Sequence, residues 1–132
     1  METYHLMLVN IETGKRESID LFAQEEDAIV LQVDFQGNEI VYTDDGYFQA
    51  FQKIRDHFLR LGYGIQCQGA NINAIQSAMY ARTDLVYLAI PGKQAFQKNL
   101  VSMWMYADID VFPDTKQQNE FFEYWIQSLR GE

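Results

Sequence analysis

The first 42 residues contain four segments with the alternating pattern of β-strands, and the turns between them are short. Residues 4–9 place apolar side chains on both faces, which is typical of a strand that is mostly covered. Residues 15–21 are more polar, and their charges favour an edge strand. Residues 28–35 and 39–42 are joined by a Gln-Gly-Asn turn. Strands that follow one another across short turns predict an antiparallel meander, and no other feature constrains the fold as strongly.

The hydrophobic period changes after Asp44 from two residues to three or four. This spacing places apolar side chains along one side of a helix. The stripe consists of Tyr47, Phe48, Phe51, Ile54, Phe58 and Leu61. Thr43, Asp44 and Asp45 are expected to cap the helix N-terminus, and Gly62 fits the left-handed position beyond its last turn.

Three further segments, residues 64–69, 85–90 and 100–106, also have strand patterns, and a second helix is predicted near the end of the chain. Asp114 and Gln117 have the spacing of a reciprocal cap, which marks the start of that helix. Its apolar stripe consists of Phe121, Phe122, Trp125, Ile126 and Leu129.

The succession of these elements predicts a single α+β domain over residues 1–132. The expected architecture is a largely antiparallel sheet of about six or seven strands, with two main helices packed on one face. No apolar run approaches the ~20 residues that span a bilayer, and the N-terminus METYHL lacks the features of a leader. Because Cys67 is the only cysteine, a cytoplasmic protein without disulfides is expected.

The charge balance is strongly acidic, with ten Lys and Arg against nineteen Asp and Glu and a formal net charge of -9. Nucleic acids and anionic membranes attract cationic surfaces, so this balance argues against both as partners. The acidity either serves solubility alone or attracts a basic protein partner.

Few residues are available for catalysis. The two histidines, His5 and His57, have no partner at metal-ligand spacing. Cys67 lies in an apolar stretch and is predicted to be a buried, unreactive core residue. We therefore predict a protein that is not an enzyme and that carries no cofactor.

Asp108, Asp110 and Asp114 flank the end of the last predicted strand. Carboxylates at alternate positions are one way to present oxygens to Ca²⁺ or Mg²⁺. No glycine allows the sharp loop that such a site usually has, and Val111 and Phe112 interrupt the carboxylates. A solvated acidic loop without a metal ion is the preferred interpretation.

Residues 69–84, GANINAIQSAMYARTD, match no hydrophobic period although they lie between two predicted strands. A covering loop is the interpretation we favour for this segment. The apolar side chains expected to reach inward are those of Ile72, Ile75 and Met79. The amides expected to satisfy the irregular backbone are those of Asn71, Asn73 and Gln76.

A pattern of short motifs is formed by Cys67-Gln68-Gly69-Ala70, Ser77-Ala78-Met79, Val86-Tyr87-Leu88 and Gly92-Lys93. It resembles a family of small bacterial α+β proteins, most of them uncharacterised. In that family, a strand ending Cys-Asn-Gly-Ala or Cys-Asn-Gly-Ser is followed by Tyr-Pro-Ser-Gly-Met and then by a strand that contains Ala-Tyr and ends in Gly-Lys. Gln76 stands where the family has Pro, and Ala78 stands where it has Gly. The stretches YHLMLVNIETGKRESIDLF and DDGYFQAFQKIRDHFLRLGY are also similar, so the resemblance covers nearly the whole chain.

Some proteins of that family resemble immunity proteins, which bind and block a secreted toxin. Together with the acidic charge, the resemblance leads to the hypothesis of an immunity protein that neutralises a basic, nuclease-type toxin. The residues predicted to contact the toxin are Tyr80, Arg82, Asp84, Asp108, Asp110 and Asp114. Two alternatives are a small-ligand binder or enzyme that uses residues 71–84 as a lid, and a homodimeric scaffold.

Overall fold

The computed structural model describes residues 1–131, which form two antiparallel sheets and two α-helices. The larger sheet contains β1 (Glu2–Asn10), β2 (Arg16–Glu25), β3 (Ile29–Phe35), β4 (Asn38–Asp44) and β5 (Tyr63–Ile65), in the order β4-β3-β2-β1-β5. The smaller sheet contains β6 (Ala74–Ile75), β7 (Leu85–Leu88) and β8 (Leu100–Ser102), in that order. The helices are α1 (Tyr47–Arg60) and α2 (Thr115–Ser128). The α+β class is confirmed, but the strands are divided between two sheets instead of forming one sheet of six or seven.

The predicted meander of β1 to β4 is confirmed, but the prediction that the second strand lies at an edge is wrong. Strand β2 pairs with β1 on one side and with β3 on the other. Its inward positions are apolar, since Ile19, Leu21 and Ala23 are buried, while its charged residues are exposed. Charges on an outward face do not prevent a strand from pairing on both sides.

The turn between β3 and β4 sets the register of their pairing. Gln36 and Gly37 both have positive φ, at 51° and 81°. A two-residue turn with positive φ at both positions matches the twist of the flanking strands and fixes which residues face each other. Phe35 is therefore opposite Asn38, and Asp34 is opposite Glu39.

Helix α1 packs on the inner face of the larger sheet. Phe51, Ile54 and Phe58 from the predicted stripe are fully buried there. Gly62 has a φ of 92°, as its predicted left-handed position requires. The predicted N-cap is wrong, because the cap residue is Gly46 and no side chain bonds the first turn.

Asp44 has a different role from the predicted cap. Its Oδ2 atom lies 2.9 Å from Nζ of Lys53, and its Oδ1 atom accepts a hydrogen bond from the backbone N–H of Asp45. Burial alone raises the pKa of this carboxyl, but the bonds from Lys53 and Asp45 outweigh burial and hold the pKa below its ordinary value.

Helix α2 begins with the predicted cap. Asp114 Oδ1 accepts from Gln117 N at 2.8 Å, and Gln117 Oε1 accepts from Asp114 N at 3.0 Å. The helix contacts α1 and β6, so the two helices do not lie side by side on one sheet as predicted. Trp125 of α2 is buried in a cluster with Ile75 and Ala89, whereas Phe122 is 39% exposed.

Two predicted strands are shorter than expected because the chain turns inward after each of them. A 3₁₀ turn at Gln68–Ala70 follows shortly after β5, and a turn that buries Met103 and Trp104 follows β8. These turns meet, since Gly69 N donates to the carbonyl of Met103 at 2.9 Å.

Segment 71–84 is not an irregular covering loop, because it contains regular secondary structure. It contains β6 and a 3₁₀ turn at Ala78–Tyr80. Ile75 is buried as predicted, but Ile72 is 40% exposed and Met79 is 82% exposed, so the inward orientation predicted for these two is wrong. The predicted bonds from amide side chains to backbone carbonyls are confirmed for Asn71, Asn73 and Gln76.

Candidate functional site

The six residues predicted to contact a partner fall into two groups at opposite ends of β2. At one end, Nε of Arg82 lies 3.5 Å from Oε1 of Glu25. At the other end, Nη2 of Arg16 lies 3.5 Å from Oδ1 of Asp108. A strand of this length spans about 30 Å at ~3.3 Å per residue. The two groups therefore do not form one continuous surface.

The group that contains Arg82 joins segment 71–84 to neighbouring turns. The Arg82 guanidinium donates to the carbonyls of Glu26 at 2.9 Å and of Asp45 at 3.0 Å. Asp84 accepts a hydrogen bond from Oγ of Ser102 on β8. Because these polar groups already have partners in the free protein, they mainly hold the segment in place.

The three aspartates at the other end also have separate surroundings. Asp108 accepts from Tyr106 Oη at 3.3 Å and faces Arg16, Asp110 is exposed, and Asp114 caps α2. Within residues 1–131, no group of three or more His, Cys, Asp or Glu side chains is positioned to hold a metal ion.

The first residues of the short-motif pattern, which runs from Cys67 to Lys93, lie in the core. Cys67 is fully buried, and Gly69 is packed so closely that an added Cβ would lie 3.0 Å from Cβ of Met103. Ser77 and Met79 are exposed instead. The pattern therefore combines packing positions with surface positions.

The remaining residues of the pattern lie around the smaller sheet. Tyr87 packs edge-on against Tyr80, with ring centroids 5.9 Å apart. Gly92 has a φ of 79°, which favours glycine at this turn. The carbonyl of Lys93 accepts from Nε1 of Trp125 at 3.0 Å and so helps to position α2.

Cys67 is suited to packing and unsuited to nucleophilic chemistry. Burial raises the pKa of its thiol to about 12, although the backbone N–H groups of Ala70 and Gly69 and the nearby Arg55 act in the opposite direction. A thiol with such a pKa is almost entirely protonated at neutral pH, so it is a poor nucleophile.

The raised pKa of Cys67 predicts a loss of stability at alkaline pH. The unfolded thiol ionises near pH 9.0, whereas the folded thiol keeps its proton up to about pH 12, so stability is constant below the first value and falls between the two. We expect the free energy of unfolding to fall by roughly 1.4 kcal/mol more in the wild type than in Cys67→Ala between pH 8 and pH 10. Urea denaturation at both pH values measures this difference. If the free energy of unfolding changed equally with pH in the two proteins, the raised pKa of Cys67 would be contradicted.

The two histidines are not placed near Cys67. Nδ1 of His5 lies 2.5 Å from Oδ1 of Asp20 on the exposed face of the larger sheet. His57 Nδ1 is 2.8 Å from the hydroxyl of Tyr42. Because the His5 and Asp20 side chains are 78% and 54% exposed, this pair lacks the water-excluded surroundings of a typical catalytic pair.

The outer face of the larger sheet, opposite α1, carries an acidic row formed by Asp20, Asp34 and Glu39. Asp34 is directly opposite Glu39 across β3 and β4. Continuing the register of Leu21 and Val33 by one residue places Asp20 opposite Asp34, and both line the same shallow depression. All three carboxylates are exposed.

The acidic row is not neutralised within the described chain. Among residues 1–131, none of the three carboxylates has a lysine or arginine within 4.0 Å, while Asp20 contacts Nδ1 of His5 and Asp34 accepts a hydrogen bond from Nε2 of Gln32 at 3.1 Å. Like charges directly opposite each other on neighbouring strands destabilise a sheet. We therefore expect the row to lower the stability of the free protein.

Apolar side chains adjoin the acidic row on the same face. Phe22 and Val30 are half-buried, and Val41, opposite Gln32 on β3, is 41% exposed. Phe22 is also opposite Gln32, so an aromatic ring and Val41 lie on one cross-strand line next to the carboxylates. An apolar centre with a charged rim is a common arrangement in protein interfaces.

Sequence reasoning did not select the acidic row, although one part of it was within reach. The Gln36-Gly37 turn fixes the pairing of β3 with β4, so the Asp34–Glu39 contact follows from the hairpin alone. The position of Asp20 depends on β2 lying inside the sheet, which the edge-strand interpretation obscured.

A second concave site lies between α1, α2 and segment 71–84. It has a volume of about 310 Å³. The apolar residues that line this cleft are Phe48, Ala74, Ile75, Ala78, Ala81 and Phe122. Its polar lining residues are Gln49, Gln52, Gln76, Ser77, Gln118 and Asn119. Among residues 1–131, no charged side chain lines the cleft.

Buried amides at the base of the cleft have fixed orientations. Gln118 Nε2 donates to the carbonyls of Gly69 and Asn71, at 3.0 Å and 2.7 Å, so its Oε1 atom must face the other way. There it accepts from Arg55 Nη2 at 2.6 Å and from Gln52 Nε2 at 3.1 Å. This chain of bonds leaves Oε1 of Gln52 as an acceptor without a partner among residues 1–131, at a position that solvent still reaches.

No model of a known protein family matches the chain, and no curated protein sequence is similar enough to count as a relative. The structure also contains, within residues 1–131, no helix with the length and apolar character needed to cross a bilayer.

Proposed function

We propose that this chain is a non-enzymatic binding protein that docks a basic protein on the outer face of its larger sheet. In its most specific form, it is a cytoplasmic immunity protein that covers the cationic surface of a nuclease-type toxin. The observation that supports this proposal most directly is the uncompensated pairing of Asp34 with Glu39 next to Asp20.

Charge complementarity explains why such a row would be useful. A cationic partner removes the repulsion between the carboxylates, so part of the strain in the free protein becomes binding free energy. The net charge of -9 also speeds encounter with a basic protein at low salt. The apolar side chains of Phe22 and Val41 supply contact area beside the charges.

The same charges disfavour a second copy of this chain as the occupant. A symmetric dimer through the outer face would bring two acidic rows together, which costs free energy unless cations intervene. The homodimeric scaffold therefore fits this face less well than a basic partner does.

The proposal predicts that neutralising the acidic row abolishes capture of a basic protein. The test variant is Asp20→Asn/Asp34→Asn/Glu39→Gln, and its matched control is Glu12→Gln/Glu120→Gln/Glu123→Gln, which removes three exposed charges elsewhere. We expect the wild type and the control to retain the same basic protein from host lysate at about 20 mM salt and to release it at about 300 mM. The test variant is expected to bind it at least tenfold more weakly.

Stability measurements check the same variants without a partner. Removing the like charges is expected to raise the free energy of unfolding of the test variant by about 0.5–1 kcal/mol at low salt, with a smaller change in the control. Retention of the basic protein by the test variant would refute the proposal. If light scattering found that the wild type is a dimer and the test variant is a monomer, the proposal would be refuted in favour of the homodimeric scaffold.

A further inference from the structure

We propose that the cleft between α1, α2 and segment 71–84 binds a small, uncharged aromatic molecule that carries an N–H or O–H donor. This site is separate from the outer face of the larger sheet, because α1 lies on the inner face of that sheet. The proposed activity is therefore additional to the docking of a basic protein.

The size and lining of the cleft determine the class of ligand. Its volume of about 310 Å³ is near the lower end of the range for small-molecule sites, ~300–1,000 Å³, so it suits a compact molecule. Phe48 is 7% exposed and forms part of the wall, while Phe122 is 39% exposed. Aromatic walls favour a flat aromatic ligand through offset or edge-on contacts.

The absence of charge in the lining excludes ionised ligands. A carboxylate or ammonium group that enters the cleft loses hydration and gains no counter-charge from the lining side chains. The net charge of -9 adds a further penalty for anions. An uncharged ligand avoids both costs.

Gln52 supplies the directional contact. This residue is 7% exposed and lines the cleft, and its amide orientation is fixed by Gln118, which in turn is fixed by two backbone carbonyls. The free Oε1 atom is therefore an acceptor held in place before the ligand arrives. Because solvent reaches this atom, a ligand N–H or O–H that bonds it takes the place of water, and the ligand's own donor is satisfied inside the cleft.

The test uses indole as the probe and 1-methylindole as its matched analogue without the N–H donor. In ¹H–¹⁵N NMR titrations, indole is expected to shift the backbone amides of residues 74–78, and 1-methylindole is expected to bind about fivefold more weakly. Gln52→Met is expected to bind indole as weakly as 1-methylindole and to leave 1-methylindole unaffected. Ala78→Phe, which fills the cleft, is expected to abolish both, while Met79→Phe, on the next and 82% exposed residue, leaves both unchanged.

Three results would overturn this inference: no shifts in residues 74–78, equal affinity for the two probes, or wild-type binding by Ala78→Phe. The variant without the acidic row is expected to bind indole normally. A loss of partner docking with intact indole binding, or the reverse, therefore separates failure of one proposal from failure of the other.

Discussion

Replacing Asp56 with alanine is expected to lower the free energy of unfolding by about 3–4 kcal/mol, because it leaves a buried guanidinium without its carboxylate. Arg55 is 1% exposed, and its Nε atom lies 2.9 Å from Oδ1 of Asp56. Burial lowers the pKa of Arg55 even though the adjacent Asp56 raises it. The same carboxylate accepts from Thr115 N at 3.1 Å, at the start of α2, so the change also removes a bond at a helix N-terminus.

The matched variants are Arg55→Met and the double variant Arg55→Met/Asp56→Ala. Arg55→Met removes the guanidinium charge, whose burial is costly, and keeps much of the side-chain volume. It also removes Nη1, which has no hydrogen-bond partner among residues 1–131. We therefore expect the double variant to be about 2 kcal/mol more stable than Asp56→Ala alone. Urea denaturation at pH 7 measures all three variants. If the double variant lost as much free energy of unfolding as the two single variants together, the unpaired charge of Arg55 would not be the main cost of Asp56→Ala.

This buried network links stability to the cleft. Arg55 on α1 bonds Gln118 on α2, and Gln118 bonds the carbonyls of Gly69 and Asn71. The bonds join the three elements that line the cleft, so its shape depends on these polar contacts as well as on the apolar packing of Phe48, Ala74 and Ile75. Because its amides bond carbonyls of two other segments, the network favours a single arrangement of the elements that it joins, although Nη1 of Arg55 has no partner among residues 1–131.

The long elements were predictable from the sequence because their signals are local. The meander of β1 to β4 and helix α1 each repeat one period over many residues, and α2 has its cap within one turn. The short strands β6 and β8 were not predictable in their bounds, because hydrogen bonds between distant segments define them. Ala74 of β6 pairs with Leu88, for example, and Val101 of β8 pairs with Val86.

The candidate sites were less predictable than the fold for the same physical reason. The acidic row combines residues of three strands, and only the Asp34–Glu39 contact follows from a single hairpin. The cleft combines residues 48–52, 74–81 and 118–122, so no local pattern describes it. The bonds that Arg82 and Asp84 make to neighbouring segments were likewise not predictable, because their partners lie elsewhere in the sequence.

Replacing Gly64 with alanine is expected to lower the free energy of unfolding by about 2–3 kcal/mol, because there is no room for a side chain on this residue of β5. An added Cβ would lie 2.3 Å from Cδ1 and 2.4 Å from Cγ of Phe112. Since Cγ is close to the backbone of Phe112, a rotation of the ring does not relieve the overlap, and the segment that covers β5 must move.

A double-mutant cycle separates this overlap from a general effect of alanine in a strand. Phe112→Ala alone removes a half-buried ring and is expected to cost about 1–2 kcal/mol. In that background Gly64→Ala meets open space, so its cost is expected to fall below about 0.5 kcal/mol, since alanine has no conformational penalty in an extended strand. Urea denaturation of the four proteins gives the coupling energy. If Gly64→Ala lowered the free energy of unfolding by the same amount in the Phe112→Ala background, Phe112 would not be the residue that fills the space above Gly64. The packing of residues 107–113 on the outer side of β5 would then have to be revised.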